Sequence, residues 1–411
     1  MDKRGAPAIS GRMDTDVVIV GGGLTGPLTA LALADAGLRS IVLDAAPEPK
    51  AGRDFDGRSY AVALGSVRVL RALRLWPALE PDAQPITGIR ASDGRAGEGA
   101  SPLHLAFDAA EIGEPFMGQM VEDRHLRPVL HEACAASDRI ELRFATRVTA
   151  QHAAPGHVCV EADAPLTAPL LLGCDGRRSD VAQRAGIGRS TKDYGQTSLV
   201  CAVEHEVPHD GIAHQFFMPP GPLAILPLRG DRSSIVWTEA NDVADEIMAM
   251  DDGDYLDALR PRFGSFLGDL RLTGVRHAYP LDLSLALSFV ADRVALVGDA
   301  AHGIHPIAGQ GLNLGVKDVA ALADVLGEAR RRGEDIGAPD VLARYQRWRR
   351  YDTAAMGFAT DAVNRLFSND DPVLRLGRDL GMGAISRMPG LRRRFIREAA
   401  GLTGDLPRLM R

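Results

Sequence analysis

Apolar residues fall into short uninterrupted runs along the chain, each followed by a glycine-rich turn and a stretch with helical spacing. Asp16 to Val20 (DVVIV) is a β-branched run with no polar break, the pattern of a central strand buried on both faces of a parallel sheet. It leads into Gly21 to Gly26, a helix-like stretch to Ala36 closed by Gly37, and a second strand over Ser40 to Leu43. The order recurs at Ala168 to Cys174 (APLLLGC), with helix-like Val181 to Ala185 behind it. It recurs again at Arg293 to Val297 (RVALV), before a long helix from about Leu312 to Arg331. Residues 195–240 instead hold extended runs punctuated by Pro and Gly, and residues 341–411 read as helical and Arg-rich. This predicts an α/β protein with an added sheet and a helical C-terminal region.

At 411 residues the chain exceeds the roughly 250–300 at which one core stops growing, so more than one domain is expected. A composition of 45% hydrophobic and 25% charged residues is that of a globular chain, not a disordered or collagenous one. Lys plus Arg number 47 against 54 Asp plus Glu, a net charge of −7 that argues against nucleic acid as a partner. Cys134, Cys159, Cys174 and Cys201 form no CxxC pair, so neither a zinc site nor a disulfide framework is expected, and a reducing cytoplasm fits. No apolar run approaches the ~18–20 residues that cross a bilayer, and residues 1–13 lack a signal peptide's apolar stretch and read as a loose tail.

Candidate chemistry begins at Gly21, Gly23 and Gly26, which match GxGxxG at a strand-to-helix turn. The first glycine permits the tight turn, the second lets a pyrophosphate approach the backbone, and the third lets helix and strand pack closely. Pro27 costs little in the first helical turn, where its missing N–H would have been unpaired. Asp44 ends the second strand about 20 residues on, where a carboxylate accepts from a ribose hydroxyl. This Rossmann-like βαβ unit says dinucleotide and leaves FAD and NAD open.

GGGLTG at 21–26, CDG at 174–176 and GDAAHGIHPIAGQGLNLG at 298–315 resemble, in order and spacing, the three fingerprints of FAD-dependent aromatic hydroxylases of the para-hydroxybenzoate hydroxylase type. FDGRSYAVALGSVRVLRAL (55–73), YGQTSLVCAVEHEVPH (194–209), GPLAILPL (221–228) and the tail RLFSNDDPVLRLGRDLGMG (365–383) are similar to the ubiquinone-biosynthesis hydroxylases. The HPIAGQGLNLG wording is closest to the branch acting on 2-polyprenyl-6-methoxyphenol. The resemblance runs from about Asp14 to Arg411.

It implies a GR2-type FAD-binding domain assembled from 14–80, 123–186 and 285–340, a β-sheet substrate domain from 81–122 and 187–284, and a C-terminal helical region over 341–411. It assigns FAD contacts to Gly21, Gly23, Leu24, Thr25, Gly26, Asp44, Arg58, Arg124, Asp175 and Asp299, and to Pro306, Gly309, Gln310, Gly311, Leu312 and Asn313. It further implies NAD(P)H as electron donor, dioxygen as co-substrate, a flavin C4a-hydroperoxide, and oxygen transfer to a polyprenylated phenol, with no metal. His209, His214, His302 and His305 read as structural, so no general base is named, and Tyr194 and Gln196 are pocket residues on resemblance alone.

Residues 375–411 carry nine Arg against Asp379, Glu398 and Asp405, interleaved with Leu, Ile, Met and Phe. That pattern fits an anionic membrane surface, and a cytoplasmic enzyme peripheral at the inner face of the membrane is the expectation, with a ubiquinone-biosynthesis complex as further partner. Two alternatives stay open: a hydroxylase of a small soluble aromatic compound, and a flavin-binding, non-catalytic member of such an assembly.

Overall fold

The computed structural model describes residues 13–49, 54–97, 99–100, 104–304, 309–367, 381, 383 and 385–411. Its centre is a six-stranded sheet in the order Val290–Ala291, Val294–Leu296, Leu170–Gly173, Val17–Val20, Ser40–Leu43, Ile140–Arg143, parallel except at the first pair. Val17, Val18, Ile19 and Leu170 to Leu172 are wholly buried, as their unbroken apolar runs require. The helices Thr25–Asp35 and Gln310–Arg332 pack against each other, and Gly327 brings the second close to Ala36 of the first. The longer helix begins two residues before the expected start and ends at Gly333, which adopts the left-handed conformation.

The single strand expected over Ala168 to Cys174 is divided. Leu166–Ala168 joins a three-stranded antiparallel sheet, whereas Leu170–Gly173 enters the central one. Pro169 stands between them; lacking an N–H, it cannot continue a ladder on both sides.

A nine-stranded sheet is built mainly from 88–108 and 189–286. Its strands alternate between two apolar surfaces. Leu199, Cys201, Phe216, Leu223, Ile225, Ile235 and Trp237 face the helices Asn241–Ala249 and Asp252–Phe263. Ser198, Val200, Ala213, Gln215, Phe217, Ala224, Leu226, Ser234 and Val236 face the other way, toward a cavity. Because both surfaces are mainly apolar, the sequence shows extended runs with few polar residues.

The helices Pro339–Phe367 and Pro389–Ala399 wrap the molecule. Ile396, Ala400, Leu409 and Met410 belong to the main core, and Gly65 N–H donates to Ala400 C=O at 2.9 Å. The last residues therefore close the core. Among the described residues no helix is long and apolar enough to cross a membrane, and no group of His, Cys, Asp or Glu is arranged to hold a metal ion.

Candidate functional site

Two cavities flank the first glycine loop. The smaller, about 230 Å³, is lined by Gly21, Asp44, Thr146, Arg147, Asp175 and Arg178 among others. The larger, about 1260 Å³, runs from Leu24 and Thr25 past Asp299 and Gly309 to Asn313, and on to the free face of the nine-stranded sheet. The loop between them is held tightly: Gly21 N–H donates to Leu43 C=O and Cys174 N–H to Val20 C=O, both at 2.8 Å. A Cβ at Gly26 would stand 1.8 Å from the Gly21 carbonyl oxygen, so only glycine fits, while a Cβ at Gly23 would meet nothing within 4 Å. The loop thus presents open backbone at Gly23, and the helix behind it starts without a side-chain cap, leaving its N–H groups to an anion.

Asp44 closes this loop from the side of the small cavity. Its Oδ2 accepts from Gly22 N–H, and its Oδ1 accepts from Ala46 N–H at 2.7 Å. Asp175 organises the second motif by accepting from Ser179 Oγ at 2.6 Å and Val181 N–H at 3.0 Å.

In the large cavity, Arg177 binds Asp282 at 2.7 Å and Asp299 at 3.4 Å and donates to Ile304 C=O at 3.2 Å, tying the second motif to the third. Asn313 stitches the long helix to strand Ser59–Ala63. Its Oδ1 accepts from Ala63 N–H at 2.8 Å, and its Nδ2 donates to Ala61 C=O at 2.8 Å and Gly309 C=O at 3.0 Å.

Beneath the third motif lies a fully buried ionic cluster. Asp318 accepts from Gly298 N–H at 3.1 Å, His302 Nε2 at 2.5 Å and Arg349 Nε at 2.7 Å, and all three side chains are shut off from solvent. Burial alone would raise the Asp318 pKa, but the charges and hydrogen bonds of His302 and Arg349 outweigh it and hold the carboxyl below its usual range.

A glycine loop thus stands between two cavities, with a second glycine-rich helix start across the larger one. Residues 14–356 match the FAD binding domain family. The chain is 45% identical to the ubiquinone hydroxylase UbiL of Rhodospirillum rubrum over 96% of its own length and 92% of the relative's. It is 36% identical to the 3-demethoxyubiquinol 3-hydroxylase of Escherichia coli, covering 94% and 99% of the two chains. The chain belongs to the FAD-binding hydroxylase family. The crystal structure of p-nitrophenol 4-monooxygenase PnpA from Pseudomonas putida shares its fold with a TM-score of 0.79, at 22% identity, over 95% of this chain and 98% of that one.

The enzyme is thus an FAD-dependent monooxygenase, with NAD(P)H as the family's usual electron donor. The residues present suit that cofactor: an open glycine backbone, an uncapped helix start and a second helix beginning at the left-handed Gly309.

Of the residues singled out in the sequence, Leu24, Thr25, Arg58, Asp299, Gly309, Gln310, Gly311, Leu312 and Asn313 line the large cavity, and Gly21, Asp44 and Asp175 the small one. Arg124 is among the lining residues of neither. Its Nε binds Glu122 at 2.6 Å and its guanidinium lies over Phe55. Pro306 and His305 lie outside the described residues. Arg58 is held by Asp56 at 2.6 Å and Asp123 at 3.2 Å. Tyr60 donates to the same Asp123 at 2.8 Å, and burial first, then the Asp123 charge, keeps its hydroxyl protonated. Tyr194 and Gln196 do not line the cavity. Lys192 sits over the Tyr194 ring, and Gln196 Nε2 donates to Pro220 C=O.

His302 is the buried partner of Asp318, and His209 Nε2 lies 2.7 Å from Leu228 C=O. His214 borders the cavity, but strand alternation turns its ring to the opposite face, 4.6 Å from Phe266. Burial first, then the charges of Arg90 and His104, push its pKa down to about 4. The unfolded chain therefore binds a proton at His214 that the folded one refuses, so stability is retained above pH 6.5 and falls as pH drops toward about 4, by at most about 3 kcal/mol. Urea unfolding of wild type and His214→Phe across that interval measures this. The loss is expected to be smaller in the variant, and parallel curves would remove His214 as its source.

Nothing in the sequence around Arg349 or Arg177 marks either for this site. A charged residue within an apolar helical repeat was the one available signal, at Asp318.

Proposed function

We propose that this monooxygenase hydroxylates the aromatic ring of a polyprenylated phenol on the way to ubiquinone. The observation that carries the reading is the continuity of the large cavity, from the glycine-rich helix starts to a broad, mainly apolar sheet face on which Ser198, Gln215, Ser234 and Tyr279 are polar. That face suits a ring bearing hydrocarbon, and among the described residues it offers no charged cluster to a carboxylate.

In this reading Gly21, Asp44 and Asp175 hold the adenosine end of FAD, Gly23, Leu24, Thr25 and Gly26 its pyrophosphate, and Arg58, Asp299 and Gly309 to Asn313 the flavin end. FAD supplies the activation of dioxygen, and this chain's residues bind, orient and keep water out. The start of Gln310–Arg332 favours negative charge beside the reacting ring system. Arg177 orients Asp299, and the apolar sheet face excludes solvent.

Arg387, Arg393, Arg394 and Arg397 are exposed around Met388 and Phe395, which are 53% and 43% exposed, and these support a peripheral seat on an anionic membrane that dissolves the substrate. The test supplies the FAD-loaded protein with NAD(P)H, air and either a prenylated phenol or a benzoic acid. The expected result is a product one oxygen heavier from the prenylated phenol alone. Hydroxylation of the acid alone, or hydrogen peroxide as the sole product, would overturn the reading.

A further inference from the structure

The large cavity has an apolar arm directed away from the glycine-rich loops. Ala91, Leu105 and Phe217 form a small hydrophobic cluster at the edge of the nine-stranded sheet, separate from the other cores, and all three line the cavity. Ala91 pairs in register with Gln215 on one side and Leu105 on the other.

Facing this edge is the C-terminal segment. Ser386 Oγ donates to His104 C=O at 3.1 Å and Arg392 binds Glu111 at 2.5 Å, so the helix Pro389–Ala399 begins beside strand Leu105–Asp108. At its other end Gln310 Nε2 donates to Ala399 C=O at 3.4 Å. The helix therefore runs from the start of Gln310–Arg332 to the sheet edge, about 16 Å for its 11 residues. Ile385, Phe395 and Ala399 line the cavity along that path.

Phe395 both lines the cavity and is 43% exposed, which marks an opening at this wall. At the same wall Glu398 also lines the cavity, its carboxylate accepting from Thr403 Oγ1, and Leu366 is a further exposed apolar lining residue, whereas the exposed rim at Tyr279 adjoins Arg58 and its ion pairs with Asp56 and Asp123. Each methylene moved from water to an apolar wall strengthens binding roughly fourfold, whereas a charged rim offers no such gain.

We propose that the hydrocarbon tail of the substrate leaves the cavity between Ala91, Leu105 and Phe217 on one wall and Ile385 and Phe395 on the other. This rests on the reading of the substrate as a prenylated phenol. The ring then stays by the glycine-rich loops while the tail follows the C-terminal helix to the surface where Met388 and the arginines gather.

The experiment compares kcat/KM of the FAD-loaded enzyme for two phenols with the same ring, one bearing a single isoprene unit and one a long prenyl chain. Ala91→Phe, which narrows one wall, is expected to lower the long-to-short ratio about tenfold, the equivalent of displacing about two methylenes. Phe395→Asp is expected to lower it similarly from the opposite, half-exposed wall, where a substitution does not threaten the fold. An unchanged ratio in both variants overturns the channel while leaving the substrate reading intact. Wild-type enzyme that turns over neither phenol overturns both.

Discussion

Gly26→Val is expected to purify without flavin and to unfold more readily, while Gly23→Val is expected to lose flavin and keep the stability of the apoprotein. The two glycines lie three residues apart and do different work. At Gly26 a Cβ would stand 1.8 Å from the Gly21 carbonyl, so the helix must move off the sheet and take the loop with it. At Gly23 the added side chain meets no protein atom within 4 Å and φ is ordinary for any residue, so the fold tolerates it. The open space it enters is where a pyrophosphate would approach, and FAD affinity should fall about 100-fold, close to 3 kcal/mol. Flavin titration and thermal unfolding of both variants check this. Unaltered affinity in Gly23→Val would mean that the diphosphate does not rest on this loop.

Asp318→Ala is expected to destabilise the protein by about 3–5 kcal/mol, among the largest effects of any single side chain in the molecule. The carboxylate is the common partner of His302, Arg349 and Gly298 N–H, and its removal leaves a guanidinium at 0% exposure with Asp352, 3.0 Å away, as its counter-charge among the described residues. Replacing both members with apolar side chains, as in Asp318→Leu with Arg349→Met, should recover part of the loss, because the desolvation penalty of the pair disappears while Gly298 N–H and His302 Nε2 still lose their acceptor. Urea unfolding of the single and double variants decides the matter. Equal losses in both would show that the hydrogen bonds to Gly298 N–H and His302, and not the charge pair with Arg349, carry the cluster. Since Asp318 also fixes the turn bearing Asp299, the single variant should hold flavin more weakly even where it stays folded.

The parts legible in the sequence were those that local rules dictate. Val17–Val20 and Ser40–Leu43 could be read because a strand buried on both faces has no polar residue, and the first loop because its glycines answer steric demands made within a few residues. Pro169 divided an expected strand for a reason equally local, its missing N–H.

What the sequence withheld depends on distant partners. Nothing near Arg124 announces that Phe55 lies under its guanidinium, and nothing near Arg349 announces the Asp318 carboxylate 31 positions away. The nine-stranded sheet hid its cavity face because helices cover the other face with equally apolar contacts. The Arg-rich tail reads as a surface element, and Leu409 and Met410 within it are only 3% and 2% exposed, because the chain returns to pack on the helix that follows Ala63.

Turnover of a prenylated phenol by purified, FAD-loaded enzyme with NAD(P)H under isotopically labelled dioxygen tests oxygen transfer in this cavity most directly. One labelled atom in the hydroxylated ring is the predicted result. Oxygen derived from water, or complete NAD(P)H consumption with an unchanged ring, would contradict it.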